Sequence, residues 1–517
     1  MSPARREPGP TAGLVPLPVD VEAGEGAPVL LGPGTVLVVP PSALGVAAAA
    51  AQRLARVLGG TPQVVGYGVD PPSAADPAGG DAATAPAVVT LALSPLDGVG
   101  EAVEPDLARE GYELRVGGGE VGVVAPDLPG LAHALTTLGQ LAAAAPEATG
   151  SPGRLVAPVT VRDAPRYPWR GLSVDVARHP LPLGDLLRLV DLLADLRLNV
   201  LHLHLTDDQG WRLHVPSRPL LTERSGGTAV GGDPGGFLTE ADWDALVGHA
   251  AARCVEVVPE VDVPGHVNAA LHAYGELTPD GVAPEAYTGI EVGFSRLHAD
   301  VPATEPFLRD VLGDVVRMTP GEHVHIGGDE VLTMDRDEYV RLVRMAADAV
   351  ERHGRTVVAW QEAAAAPLAP GTLLQVWHEG HDLAPVVAAA RAGARVVMSP
   401  ASRAYLDLKY DASTPIGLEW AGHVPFRQSY EWDPDRLVDG LDPDSVAGVE
   451  AAVWSETTRD LDDVTYLLLP RLAAVAEVAW SPQAHRGWDG FAARTAVLAC
   501  AWDRDGLRWH PAAGGAW

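Results

Sequence analysis

The chain has 517 residues, 47% of them hydrophobic, enough for two domains with a large buried core. Lys and Arg total 37 against 68 Asp and Glu, a net charge of −31 that argues against nucleic acid or an anionic membrane as partner, because phosphate would repel it. Two cysteines, Cys254 and Cys500, allow no disulfide framework and no metal-spaced pair. The opening "MSPARREPGPTAGLVPLPVD" has no apolar run of signal-peptide length. No stretch reaches the roughly 20 apolar residues of a bilayer span. A soluble, cytoplasmic protein is expected, and nothing in the chain speaks to its oligomeric state.

Residues 12–160 read as a small α/β domain. "TVLVVP", "AVVTLALS", "GYELRVGG" and "EVGVVAP" are β-rich runs, and "LGVAAAAAQRLARVLGG" and "LPGLAHALTTLGQLAAAA" have helical period. The low-complexity "GVDPPSAADPAGGDAATAPA" predicts a loop, and "APEATGSPGRLVAP" predicts a linker. No catalytic cluster stands in this half.

From about residue 165 to 510, strand and helix signals alternate. "RGLSVDVA", "NVLHLHLT", "VEVVPEVDV", "HVHIGG", "TVVAW", "TLLQVW", "RVVMS" and "VAGVEAAVW" give eight strands. Helical runs follow most of them, ending with "DVTYLLLPRLAAVAEVAW" read as one helix. Helices after strands five and seven are weakly marked. The simplest closed solution is a (β/α)8 barrel of the TIM type.

Function in such a barrel gathers at the C-terminal ends of the strands. Those ends carry Arg178 and His179, Asp207 and Asp208, Asp262 and His266, Asp329 and Glu330, Trp360 and Glu362, Trp377, Tyr405 and Asp407, and Trp454 and Glu456. Aromatic faces stack on a pyranose, and carboxylates with arginine bind its hydroxyls and do acid/base work at glycosidic bonds. Each element alone has a bland reading: a rim tryptophan packs, and an Asp after a strand caps a turn. Asp208 reads as a cap for "QGW". His202 and His204 have metal-ligand spacing with Asp207 beyond, so a metal-dependent barrel hydrolase competes; otherwise both histidines fill the barrel and bond to carboxylates. A sugar-binding protein without catalysis is the third reading. Adjacent residues on a strand point to opposite faces, so Asp329 and Glu330 can serve one site only if the strand ends at Gly327-Gly328.

"RGLSVDVARH", "LNVLHLHLTDDQGWR", "PEVDVPGH", "YTGIEVGFS", "HIGGDE" and "GVEAAVWSET" resemble the motifs of glycoside hydrolase family 20, the β-N-acetylhexosaminidases. The resemblance runs from about residue 165 to 505, and "EGYELRV" and "LTTLGQL" resemble the family's non-catalytic N-terminal domain. It implies an exo-acting enzyme on small carbohydrate substrates, with no cofactor and no metal. Glu330 would be the general acid/base. Asp329 would orient the substrate's 2-acetamido group, whose oxygen attacks C1 to give an oxazolinium intermediate. Tyr405 would bond the acetamido oxygen, and Trp360, Trp377 and Trp454 would wall the sugar. Arg178, Glu456 and Asp407 would bind the outer hydroxyls, Asp207 and His266 would support them from behind, and Trp420 would be a lid or +1-site aromatic.

Overall fold

The computed structural model describes residues 11–68, 87–96, 109–331, 333–512 and 514–515. The loop predicted at 68–87 lies almost wholly outside them. The first half carries β1 (Asp20–Ala23), β2 (Val29–Leu31), β3 (Val36–Val39), β4 (Gln63–Gly66), β5 (Val88–Leu93), β6 (Tyr112–Gly117), β7 (Glu120–Ala125), β8 (Arg154–Val156) and β9 (Val159–Asp163). Seven of these form one mixed sheet in the order β1-β9-β6-β7-β5-β3-β4. The segment read as a linker is not all linker: β8 lies in it and pairs antiparallel with β2.

Two helices cover this sheet. Leu44–Leu58 ends on Gly59, whose φ of 75° needs no Cβ penalty. Leu128–Ala144 starts where the Asp127 carboxylate accepts the Leu128 N–H. Leu54, Leu58, Leu131, Leu135 and Leu138 are buried beneath them with Trp480, which comes from the other half of the chain. The Trp480 indole donates to the buried Asp163 carboxylate at 3.1 Å, fixing the sheet against the barrel.

The barrel is closed by β10 (Trp169–Asp175), β11 (Val200–His204), β12 (Glu256–Glu260), β13 (His323–His325), β14 (Thr356–Trp360), β15 (Leu373–Val376), β16 (Arg395–Met398) and β17 (Val446–Val453). All pairs are parallel, and β10 closes on β17. The eight strand segments of the sequence are these eight strands. As expected, the ring is thin after strands five and seven, which lead into a 3-10 turn at Gln361–Ala365 and a four-residue helix at Ala401–Ala404.

One expectation fails in the outer ring. The run read as a single helix is two, Leu461–Leu468 and Arg471–Trp480, because Pro470 lacks an N–H and drives Leu469 out of helical geometry. A further helix, Trp488–Arg504, follows; its buried Phe491, Thr495, Leu498, Ala499 and Trp502 keep helical spacing. No helix among the described residues is long and apolar enough to cross a membrane.

The barrel interior changes character along its axis. Its floor is an apolar cluster of Trp169, Val200, Val258, Val358, Leu373, Val397 and Ala447. Two residues further along five of these strand segments, on the same face, stand His202, Glu260, Trp360, Gln375 and Ser399. Two buried carboxylates organise this polar layer. Glu260 meets His204, His202 and His325 at 2.7, 3.0 and 3.0 Å and the Trp360 indole at 2.9 Å. Glu450 takes His202, Trp169 and Gln375 at 2.8, 2.7 and 2.9 Å. Gly171 makes room for it, since a Cβ there would lie 2.3 Å from a Glu450 oxygen.

Candidate active site

The turn after β13 places the two acids. Gly327 and Gly328 have φ of 69° and 109°, and Glu330 itself sits at 51°. A Cβ on Gly327 would lie 1.6 Å from Asp262 Oδ1, so only glycine fits there. Asp262 Oδ1 accepts the Gly328 N–H at 3.1 Å, and the Tyr339 hydroxyl donates to the Gly328 carbonyl at 2.6 Å. Strand alternation stops at this turn, and both acid side chains reach His266: Nε2 lies 3.7 Å from Asp329 and 3.5 Å from Glu330. The backbone therefore answers how neighbouring acids share one mouth.

Behind them runs a chain of charge. His266 Nδ1 lies 3.1 Å from Asp207, which also takes His204 at 2.7 Å and Arg178 at 2.9 Å. Asp207 is wholly surrounded by protein donors, and they hold its carboxyl well below the usual range despite the burial that opposes its charge. His204 has a carboxylate on each ring nitrogen, at 2.7 Å both times. Carboxylates only accept, so both nitrogens must donate and His204 is an imidazolium. The two histidines thus fill the barrel and bond to carboxylates, as the bland reading held.

The opposite wall is aromatic. Trp360 and Trp454 have ring centres 6.0 Å apart, Trp454 and Tyr405 6.1 Å, and Tyr405 and Trp377 6.2 Å at an interplanar angle of 19°. Trp420 closes on Trp377 and Tyr405 at 5.9 Å each and is half exposed at the rim. Arg178 lies over the Trp454 ring at 5.3 Å. Between the walls are buried polar atoms that make no hydrogen bond among the described residues: Arg178 Nε, both oxygens of Asp407 and Glu456 Oε2. Burial, and then Glu456, push the Asp407 carboxyl well up; burial also raises Glu456, against the pull of Arg178. These contacts bring Arg178, Asp207, His266, Asp329 and Glu330 together on one side and Trp360, Trp377, Tyr405, Trp420 and Trp454 on the other, with Glu456 and Asp407 beside Arg178.

The catalytic-domain profile of glycosyl hydrolase family 20 matches residues 167–483, and the family's domain 2 profile matches 11–164. The chain belongs to glycosyl hydrolase family 20. It is 53% identical to a β-N-acetylhexosaminidase of Cellulomonas fimi over 97% of this chain and 96% of that one. It superposes with a TM-score of 0.87, at 39% identity and 99% coverage of both chains, on the Streptomyces plicatus N-acetyl-β-hexosaminidase in complex with Thio-NAglucal. The β-N-acetylhexosaminidase from Streptomyces coelicolor gives the same TM-score and identity.

This family 20 chain also uses residues that sequence reasoning missed. Asp175 accepts the N–H groups of Ala177, Arg178 and Ser455 at 2.7, 3.1 and 3.0 Å, shaping the turn that presents Arg178. Its only signal was a carboxylate inside an apolar strand. Asp262 was visible at a strand end, but its task of carrying the Gly327-Gly328 turn was not. Asp208 caps nothing at "QGW": it accepts the Asn268 N–H at 2.9 Å and the Ser295 hydroxyl, joining two loops of the rim. Glu362 takes the Trp377 indole at 3.2 Å, and burial with the nearby Asp329 pushes its carboxyl up to about 8.

Proposed function

We propose that the chain is an exo-acting β-N-acetylhexosaminidase, removing terminal non-reducing β-linked GlcNAc or GalNAc with retention by substrate-assisted catalysis. The observation that carries this reading is the set of buried, unpartnered polar atoms of Arg178, Asp407 and Glu456 facing an aromatic wall, with Asp329 and Glu330 across from them. Such atoms are costly unless a ligand meets them, and sugar hydroxyls supply both donors and acceptors. In this reading they take the outer hydroxyls of the terminal sugar, and cleavage starts at the chain end.

Chemistry then follows from the acids. Glu330 gives its proton to the glycosidic oxygen while the 2-acetamido oxygen attacks C1, and the C1–O bond breaks to release the aglycone as an alcohol. Asp329 accepts the acetamido N–H and faces the positive charge that develops on the oxazolinium. The Tyr405 hydroxyl donates to the acetamido oxygen, and Trp360, Trp377 and Trp454 hold the group in attacking position. Water then attacks C1 as Glu330 takes its proton back. Family 20 is the substrate-assisted exception to two-carboxylate glycosidases.

Two measurements test this. NMR of the fresh product should show the β-anomer first; early α-anomer would exclude a double displacement. The pH profile is the second. Burial, reinforced by Glu330 and opposed by His266, pushes Asp329 up to about 6. Its carboxylate is the working form, so kcat/KM should fall as pH drops through about 6 in the free enzyme. Full activity retained well below that value would remove Asp329 from the role.

A further inference from the structure

We propose that Asp262, His266 and Asp329 form a binding site for one divalent transition-metal ion of the Zn²⁺ type, and that an ion held there blocks catalysis. Each residue offers a ligand atom, and these atoms lie within 4.8 Å of one another. The residues are 1%, 4% and 9% exposed, and Asp262 Oδ2, His266 Nε2 and Asp329 Oδ1 are buried with no geometrically formed hydrogen bond among the described residues, facing one another and Glu330. The orientation is already set. Asp207 holds His266 Nδ1 at 3.1 Å, which turns Nε2 toward Asp329. A carboxylate on the far nitrogen is the usual support of a ligating histidine. The Gly328 N–H holds Asp262 Oδ1 at 3.1 Å and leaves Oδ2 available.

Charge and donor type select the ion. Two buried carboxylates side by side repel each other, and a dication relieves that. One imidazole with two carboxylates suits Zn²⁺ better than Mg²⁺ or Ca²⁺, which prefer all-oxygen shells. Glu330, 3.5 Å from His266 Nε2 and on the mouth side, stands at the open position. Two of the other three candidate clusters among the described residues are spent, since both nitrogens of His204 and both oxygens of Asp207 are already hydrogen-bonded; the third, His202, Glu260 and His325, lies deeper in the barrel, in the layer just above its apolar floor. This site therefore differs from the His202 and His204 pair that the sequence spacing singled out.

The blocking half rests on the reading of Asp329 and Glu330 above; the binding half does not. An ion on Asp329 occupies the oxygen that would take the acetamido N–H, so the acetamido group can no longer be set in attacking position. Titration calorimetry of the whole, chelator-stripped protein with ZnCl₂ near neutral pH should show one site per chain. Asp262→Asn and His266→Gln should each weaken it by more than the roughly 10–100-fold that losing a ligand's supporting partner costs. Co²⁺ should give visible absorption at unit stoichiometry. Zn²⁺ should inhibit hexosaminide hydrolysis competitively, with EDTA restoring it. The exposed His381, stacked on His378 at 4.0 Å, is the control for surface binding. If His381→Ala abolishes the site, or Asp262→Asn leaves it unchanged while near-UV circular dichroism shows a folded chain, the proposal falls. Zn²⁺ binding in a chain that cleaves no hexosaminide would overturn only the proposed function. Cleavage without Zn²⁺ binding would overturn only the metal site.

Discussion

Glu330→Gln should lower kcat/KM by about 10²–10⁴-fold on substrates whose leaving group needs a proton. Gln keeps the shape and the hydrogen-bonding edge of Glu330 but has no acidic proton. Its place at the mouth, 3.5 Å from His266 and far less buried than Asp329, lets it reach an oxygen on the aglycone side. The loss should shrink as the leaving group becomes a better one, so a series of aryl N-acetylglucosaminides with falling phenol pKa should converge toward the parent rate in the glycosylation step. Equal losses across the series would take the proton-donor role from Glu330.

A matched pair of aryl β-N-acetylglucosaminide and aryl β-glucoside should differ by roughly three orders of magnitude or more in kcat/KM, since a well-placed internal nucleophile is worth about 10⁵–10⁸ M of effective concentration. The glucoside has no acetamido oxygen to attack C1, and the chain offers poor replacements. Asp207 is consumed by Arg178, His204 and His266. Glu362 is pushed up to about 8 by burial and by Asp329, and lies against the Trp377 indole. Efficient glucoside cleavage would require a nucleophile this site does not present, and would end the substrate-assisted reading.

The eight barrel strands were legible because each is a short apolar run bounded by turn signals, and because strand and helix periods alternate. The mouth was legible for the same reason: once the strand ends are known, Arg178, Asp207, Asp329, Tyr405 and Trp454 fall on one rim. Partners far apart in sequence were not legible. β1 pairs with β9 and β2 with β8 across more than a hundred residues, and neither short strand carries a period long enough to read. Asp175 looks like one more strand residue until Ser455, 280 positions on, donates to it. The break at Pro470 was readable from proline's missing N–H, but the apolar period on both sides ran straight through it.

The polar layer above the barrel floor constrains how this chain can change. Glu260 serves three imidazoles and an indole, and Glu450 shares His202 with it. Replacing any one member strands the others as buried, unpaired groups, which costs several kcal/mol, and a block replacement must still give partners to Asp207 and to the Trp169 and Trp360 indoles. Single substitutions there are blocked while wholesale replacement is open in principle. Relatives should therefore carry this layer complete or exchange it as a block, and a library aimed at repacking the barrel should vary positions 202, 204, 260, 325, 375 and 450 together, since one-at-a-time scanning would report every position as immutable.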